Sequence, residues 1–218
     1  MMKRVGNYWM PDEENTPHFL TEFENKGGWQ LNKLHLFIDT MKANNAPFKV
    51  AIDCGAHVGS WTKVLAENFD HVYAFELNPD TFECLERNIT DWGLTNVTLL
   101  NKGVGDVNEQ VSITKDDIWN ECTGSYHVNV GCEGDLDVVP VDSMEIKDAS
   151  FIKLDVEGYE YRTLVGLKET AKSNPYIMIE YKVKLINRFG GDDPLQLLKS
   201  WGYEHAIKKG SDHLYRRG

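Results

Sequence analysis

The stretch FKVAIDCGAHVGS, residues 48–60, decides how this chain folds. Its first half, 48–53 (FKVAID), is a short, mostly apolar run of strand length that ends on Asp53. CGAHVGS then carries Gly55 and Gly59, and Trp61, Val64, Leu65 and Phe69 follow at helical spacing. Strand, glycine turn and helix together open a parallel α/β unit. Glycines there let the backbone approach a ligand, and free amides at a helix N-terminus favour polar or anionic groups. A dinucleotide fingerprint requires GxGxxG, and His57 stands where its second glycine would be, so that pattern fails. A strand-end acid followed by G-x-x-x-G suits instead a ligand bearing an ammonium and a carboxylate. A tight structural loop would use the same two glycines.

The alternation of strand and helix continues downstream. Residues 71–76 (HVYAFE) read as a second strand. Asn78 and Pro79 suit the cap and first position of a helix whose stripe is Phe82, Leu85, Ile89 and Trp92, stopped by Gly93. A third strand covers 97–101, and further strands cover 150–155 (SFIKLD) and 175–181 (PYIMIEY). Helices are expected around Leu164, Leu167 and Ala171, and from Asp193-Pro194 to Gly202. YEHAI and HLYRR, separated by KKGSD, form a closing hairpin. Residues 106–149 break the rhythm: QVSIT, SYHVNV and LDVVPV predict a β-rich insert between strands 3 and 4. Residues 1–28 read as an irregular, aromatic N-terminal extension (Tyr8, Trp9, Phe19, Phe23), and Leu31, Leu34, Ile38 and Met41 start the helical pattern of a single domain over 29–218.

Composition excludes several classes. Acids outnumber bases 34 to 23, a net charge of −11, which opposes a partner whose affinity rests on phosphate, so neither nucleic acid nor an anionic membrane is expected. No apolar run approaches the roughly 18 residues of a membrane span. Lys3 and Arg4 are followed by Gly6, Asn7 and Pro11, which leaves no signal-peptide core, and a cytoplasmic protein is expected. Cys54, Cys84, Cys122 and Cys132 show no CxxC spacing and read as reduced thiols. With 41% hydrophobic and 26% charged residues the chain is neither disordered nor collagen-like. Oligomeric state is not legible.

Two further motifs carry chemistry. Glu76 ends the second strand, 21 residues beyond Gly55, where an acid accepts both ribose hydroxyls of a nucleoside. In FIKLDVEGYE (151–160), Asp155 and Glu157 sit at a strand's C-terminal tip, where open α/β sheets bind ligands. Glu157 and Glu160 could equally be first-turn helix acids.

VAIDCGAHVGSWT, YAFELNP, LLNKGVGD, VPVDSM and FIKLDVEGYEYRTLVG, in this order and spacing, resemble the FkbM-like branch of class I methyltransferases, which use S-adenosylmethionine. The resemblance runs from about Val50 to Tyr181 and implies a Rossmann-like α/β fold. Its seven-stranded, mostly parallel sheet has helices on both faces and the last strand antiparallel. It also implies O-methylation of a hydroxyl on a small molecule or sugar. Asp53, Gly55, Ala56 and Gly59, with Ser60 beside them, would then hold the methionine part of the cofactor. Glu76 would take the ribose, and Asn101, Lys102 and Gly103 would lie near adenine. Lys102-Gly103 departs from the small, alanine-like residues the family leads one to expect.

Methyl transfer chiefly requires alignment and removal of the acceptor's proton. Asp155 and Glu157 are the candidate base or acceptor-orienting groups, joined by Glu180 at the next strand tip. His127, in the insert, is a second candidate base. Three carboxylates at adjacent tips also resemble a hard-cation site for Mg²⁺ or Ca²⁺, but no metal is assigned. The competing readings are a cofactor-binding protein without catalysis and a dinucleotide oxidoreductase.

Overall fold

The computed structural model describes residues 1–115, 122–129, 134–190 and 192–218. The chain opens with a hairpin, β1 (Met2–Val5) and β2 (Tyr8–Pro11), then α1 (Pro17–Lys26) and α2 (Leu31–Ala43). It continues through β3 (Val50–Cys54), α3 (Ser60–Asn68), β4 (His71–Phe75), α4 (Pro79–Asp91) and β5 (Val97–Leu100). The insert holds β6 (Gly103–Val104), β7 (Glu109–Lys115), β8 (Tyr126–Asn129) and β9 (Leu136–Val139). β10 (Ala149–Leu154), α5 (Glu160–Val165), β11 (Tyr176–Glu180), α6 (Val183–Ile186), α7 (Pro194–Ser200), β12 (Tyr203–Lys209) and β13 (Asp212–Arg217) complete it.

Seven strands form the main sheet in the order β12-β13-β11-β10-β3-β4-β5. The five from β11 to β5 run parallel, and β13, the last in sequence, lies antiparallel between β11 and β12. The expected sheet is thus present, including its antiparallel last strand. The chain leaves β3 toward β4 and β5 on one side and returns to β10 on the other. Such a reversal opens a crevice at the C-terminal strand ends, the usual ligand position in open α/β sheets.

Period-2 alternation divides the core between the sheet's two faces. Ala51, Val72, Phe151 and Met178 pack with Leu34, Phe37, Trp61 and Leu65 of α2 and α3. Ile52, Phe75, Ile152, Leu154 and Ile179 pack with Leu164, Leu167 and Leu198 on the opposite side. Local signals act where the sequence places them: the side chains of Asn78 and Asp193 accept from Asp80 N and Leu195 N, each followed by proline at the first helical position. The expected helix through Ala171 stops early: α5 ends at Val165, and Ala171 lies in a 3₁₀ turn (Thr170–Ser173).

Residues 1–28 are more ordered than expected. Gly6 (φ 57°) and Asn7 form the two-residue loop between β1 and β2, a hairpin signal that the aromatic composition obscured. Tyr8, Met10, Phe19 and Phe23 pack against Val58 and Cys84. Asn88 of α4 accepts from Trp9 N at 2.6 Å and donates to Trp9 O and Val58 O, both at 2.9 Å. The hairpin is therefore fastened to the glycine turn itself. The insert forms its own sheet, β6-β9-β7-β8, whose last three strands match the three expected ones; Val130 lies outside the described residues.

Candidate active site

The β10–β3 register sets Lys153 beside Asp53. Both are buried, and Lys153 Nζ lies 3.1 Å from Asp53 Oδ1. Thr62 donates its hydroxyl to the other Asp53 oxygen at 2.7 Å, and Lys153 donates to Gly55 O at 2.6 Å. Burial opposes the Lys153 charge, but Asp53 and Asp155 outweigh it and hold the ammonium's pKa above the ordinary lysine range. Asp53 is fully buried and does not border the cavity described below. The strand-end acid thus meets this chain's own ammonium, because a lysine 100 residues later in the chain returns into register with it.

Gly55 (φ 81°) and Ala56 donate their amides to Phe75 O at 3.0 and 2.9 Å, closing the turn against β4. A Cβ on Gly55 would lie 2.0 Å from Asp155 O, so the glycine is demanded first by the adjoining strand tip. Gly59 (φ 90°) caps α3 under Leu85 and Trp92, away from the cavity, and Ser60 Oγ accepts from Trp29 N at 2.8 Å. Glu76 follows β4, with Oε2 accepting from His57 N at 2.8 Å and Oε1 from Asn78 N at 2.9 Å. Burial pushes the Glu76 carboxyl up, with those two amides pulling it down. Asn101 donates to Glu76 O (2.8 Å) and Leu77 O (3.2 Å) and so braces the strand end from outside, whereas Lys102 and Gly103 border the cavity.

Asp155, Glu157 and Glu180 do converge: each offers a carboxylate oxygen within 4.8 Å of the others. Lys182 Nζ stands 2.7 Å from Glu180 and 3.8 Å from Glu157, supplying positive charge to the cluster. Burial pushes Glu157 up to about 8 against the pull of Lys182. Burial and the neighbouring Asp155 push Glu180 up to about 9. Asp155 goes the other way: burial opposes its charge, but Lys153, Lys182 and a hydrogen bond from Glu180 hold it below the usual range. The cluster therefore combines one ionised carboxylate with two that hold protons near neutrality. Glu160 is turned inward, accepting from Gly158 N at 3.1 Å, and is pushed up to about 7 by burial.

A cavity of about 350 Å³ joins these parts, bordered by Gly55, Ala56, His57, Glu76, Asp155, Glu157 and Glu180. Its remaining walls come from the N-terminal segment, to which the sequence gave no site role, and from the insert, where it offered only His127 as a second candidate base. Phe19, Phe23 and Trp29 close it from the N-terminal side, and Thr123 to Val128, including His127, close it from the insert. Glu14 is buried, accepting from Thr16 N (2.9 Å), Thr123 N (2.7 Å) and Thr123 Oγ1 (2.8 Å). Thr123 Oγ1 in turn meets His57 Nε2 at 2.8 Å, and burial pushes the His57 imidazole down to about 4. On the N-terminal side the sequence sign of this wall was the density of aromatic residues before Leu31.

The strand order, the switch-point crevice and the acid-ended strands around it define the class I methyltransferase fold. Residues 53–205 match the model of a family described as the Methyltransferase FkbM domain, and the chain belongs to that family. It is 28% identical over 134 residues to the hexuronic acid methyltransferase AglP of Haloferax volcanii, covering 59% of this chain and 54% of that protein. The chain thus spans about half the length of this curated relative. Among solved structures it is similar to an FkbM methyltransferase of Methylobacillus flagellatus (TM-score 0.51, 16% identity, 94% of this chain and 56% of that one). It is also similar to a protein of Streptococcus mutans classed with the methyltransferases and solved with SAH (TM-score 0.52, 13% identity, 84% and 95% covered). Family membership sets aside the dinucleotide oxidoreductase reading. No helix among the described residues is long and apolar enough to cross a membrane.

Proposed function

We propose that this chain transfers a methyl group from S-adenosylmethionine to a hydroxyl of a saccharide or related small molecule. The observation that carries the reading is that the carboxylate cluster of Asp155, Glu157 and Glu180 and the Gly55–Glu76 corner share one cavity. Each Glu76 oxygen already takes one backbone amide and keeps a lone pair, so the residue fits the paired hydroxyls of a ribose. The cofactor, when bound, supplies a methyl group on a sulfonium, a good leaving group. This chain's residues do the rest. Asp155, ionised, accepts a hydrogen bond from the acceptor hydroxyl and orients its oxygen. Glu157, in its base form, takes the hydroxyl proton, with Lys182 stabilising the resulting arrangement of charge. Phe19, Phe23 and Trp29 exclude water from that side. A saccharide acceptor is supported by the likeness to a hexuronic acid methyltransferase. The test is transfer of labelled methyl to a panel of hydroxylated saccharides, comparing the parent with Glu157→Gln. Binding of S-adenosylhomocysteine without transfer to any acceptor would reduce the protein to a cofactor binder.

A further inference from the structure

Thr123 supplies one hydroxyl hydrogen, and a carboxylate only accepts hydrogen bonds. Since Thr123 Oγ1 donates to Glu14 Oε2 at 2.8 Å, its oxygen must accept at the 2.8 Å contact with His57 Nε2. The proton of the neutral imidazole is therefore on Nε2, and Nδ1 carries a lone pair. His57 borders the cavity inside the glycine turn, and Nδ1 has no hydrogen-bond partner among the described residues. The same turn denies an incoming ammonium the Asp53 carboxylate, which Lys153 and Thr62 occupy.

We propose that His57, its tautomer set by Glu14 and Thr123, presents Nδ1 as the hydrogen-bond acceptor for the α-ammonium of the cofactor's methionine part. Glu14 and Thr123 are then positioning residues contributed by the N-terminal segment and the insert. This deepens the proposed function and rests on its cofactor assignment. A neutral ring suits the role, since an imidazolium would repel the ammonium. Burial away from water keeps it neutral. The φ of 51° at His57 is the backbone conformation that sends its amide to Glu76. One residue thus serves the ribose carboxylate through its backbone and the ammonium through its ring.

The experiment measures calorimetric affinity for two probes, S-adenosylhomocysteine and 5′-methylthioadenosine, which lacks the amino-acid part. Thr123→Val removes the hydroxyl at nearly constant shape and frees the imidazole proton to move to Nδ1. Affinity for S-adenosylhomocysteine should fall about tenfold while that for methylthioadenosine stays unchanged, and Thr123→Ser should restore the parent value. In the unliganded parent, nitrogen-15 spectra of labelled histidine should show His57 protonated on Nε2 only. Protonation on Nδ1 in the parent would overturn the proposal, and so would equal losses for both probes. Should the parent bind neither probe, the cofactor assignment itself fails, and the histidine spectrum still decides the tautomer.

Discussion

Lys153 and Asp53 face each other across β10 and β3 with 3.1 Å between ammonium and carboxylate, both buried. The pair neutralises the floor of the crevice, and Lys153 reaches past it to the Gly55 carbonyl. Breaking a buried pair by removing one partner strands the other charge, at a cost of about 3–5 kcal/mol. Lys153→Met should therefore lower unfolding free energy by that amount in urea titration. A loss below about 1 kcal/mol would mean that Asp53 finds another partner.

Gly55→Ala should damage the fold and not merely the ligand site. The added methyl would meet Asp155 O at 2.0 Å, in a backbone conformation of φ 81° that disfavours any Cβ. Thermal melting should drop by several degrees, and Asp155 should lose its position. A variant as stable as the parent but weaker for S-adenosylhomocysteine would restore the ligand-contact explanation.

Glu76→Ala removes the group proposed to meet the ribose hydroxyls. Two hydrogen bonds at roughly 0.5–1.5 kcal/mol each are lost, so S-adenosylhomocysteine affinity should weaken about tenfold or more by calorimetry. It also leaves His57 N and Asn78 N without their partner, so a modest loss of stability should accompany the change. Unaltered affinity would remove Glu76 from the cofactor site.

Acidic groups with raised pKa values tie stability to pH. Glu157, Glu160 and Glu180 have folded-state values of about 8, 7 and 9, above the ordinary 4.5, so the folded protein holds their protons more tightly than the unfolded chain does. Their contribution is complete below pH 4.5 and is lost as pH climbs through 7 to 9. Melting temperature should decline across that interval, less steeply in Glu157→Gln. A profile flat from pH 5 to 9 would contradict the buried, protonated state of the cluster.

Turnover should move the opposite way. Glu157 gains its base form as pH rises through about 8, so kcat should rise through that value. Glu157→Gln should remove the limb and cost about 10²–10⁴-fold, with S-adenosylhomocysteine affinity near normal. Asp155→Asn should impair kcat with the pH limb retained, since Asp155 orients and does not titrate there.

The amino-acid sequence by itself determined the strand–turn–helix rhythm, the caps at Asn78 and Asp193, the three insert strands and the strand-tip positions of Glu76, Asp155 and Glu180. All of these follow from periodicity and backbone preference, which act within a few residues. It could not determine what each tip residue faces. Asp53 reads as a ligand-binding acid from its strand-end position, and only the β10 register shows that Lys153 meets it. Gly55 reads as a ligand cradle, and only the packed strand tip shows that Asp155 O lies 2.0 Å from where its Cβ would stand. The Glu14–Thr123–His57 chain joins the N-terminal segment, the insert and the glycine turn, and 109 residues separate its first two members. A buried carboxylate takes whichever donors the packed chain brings within about 3 Å, and that choice is made only when distant segments close on one another.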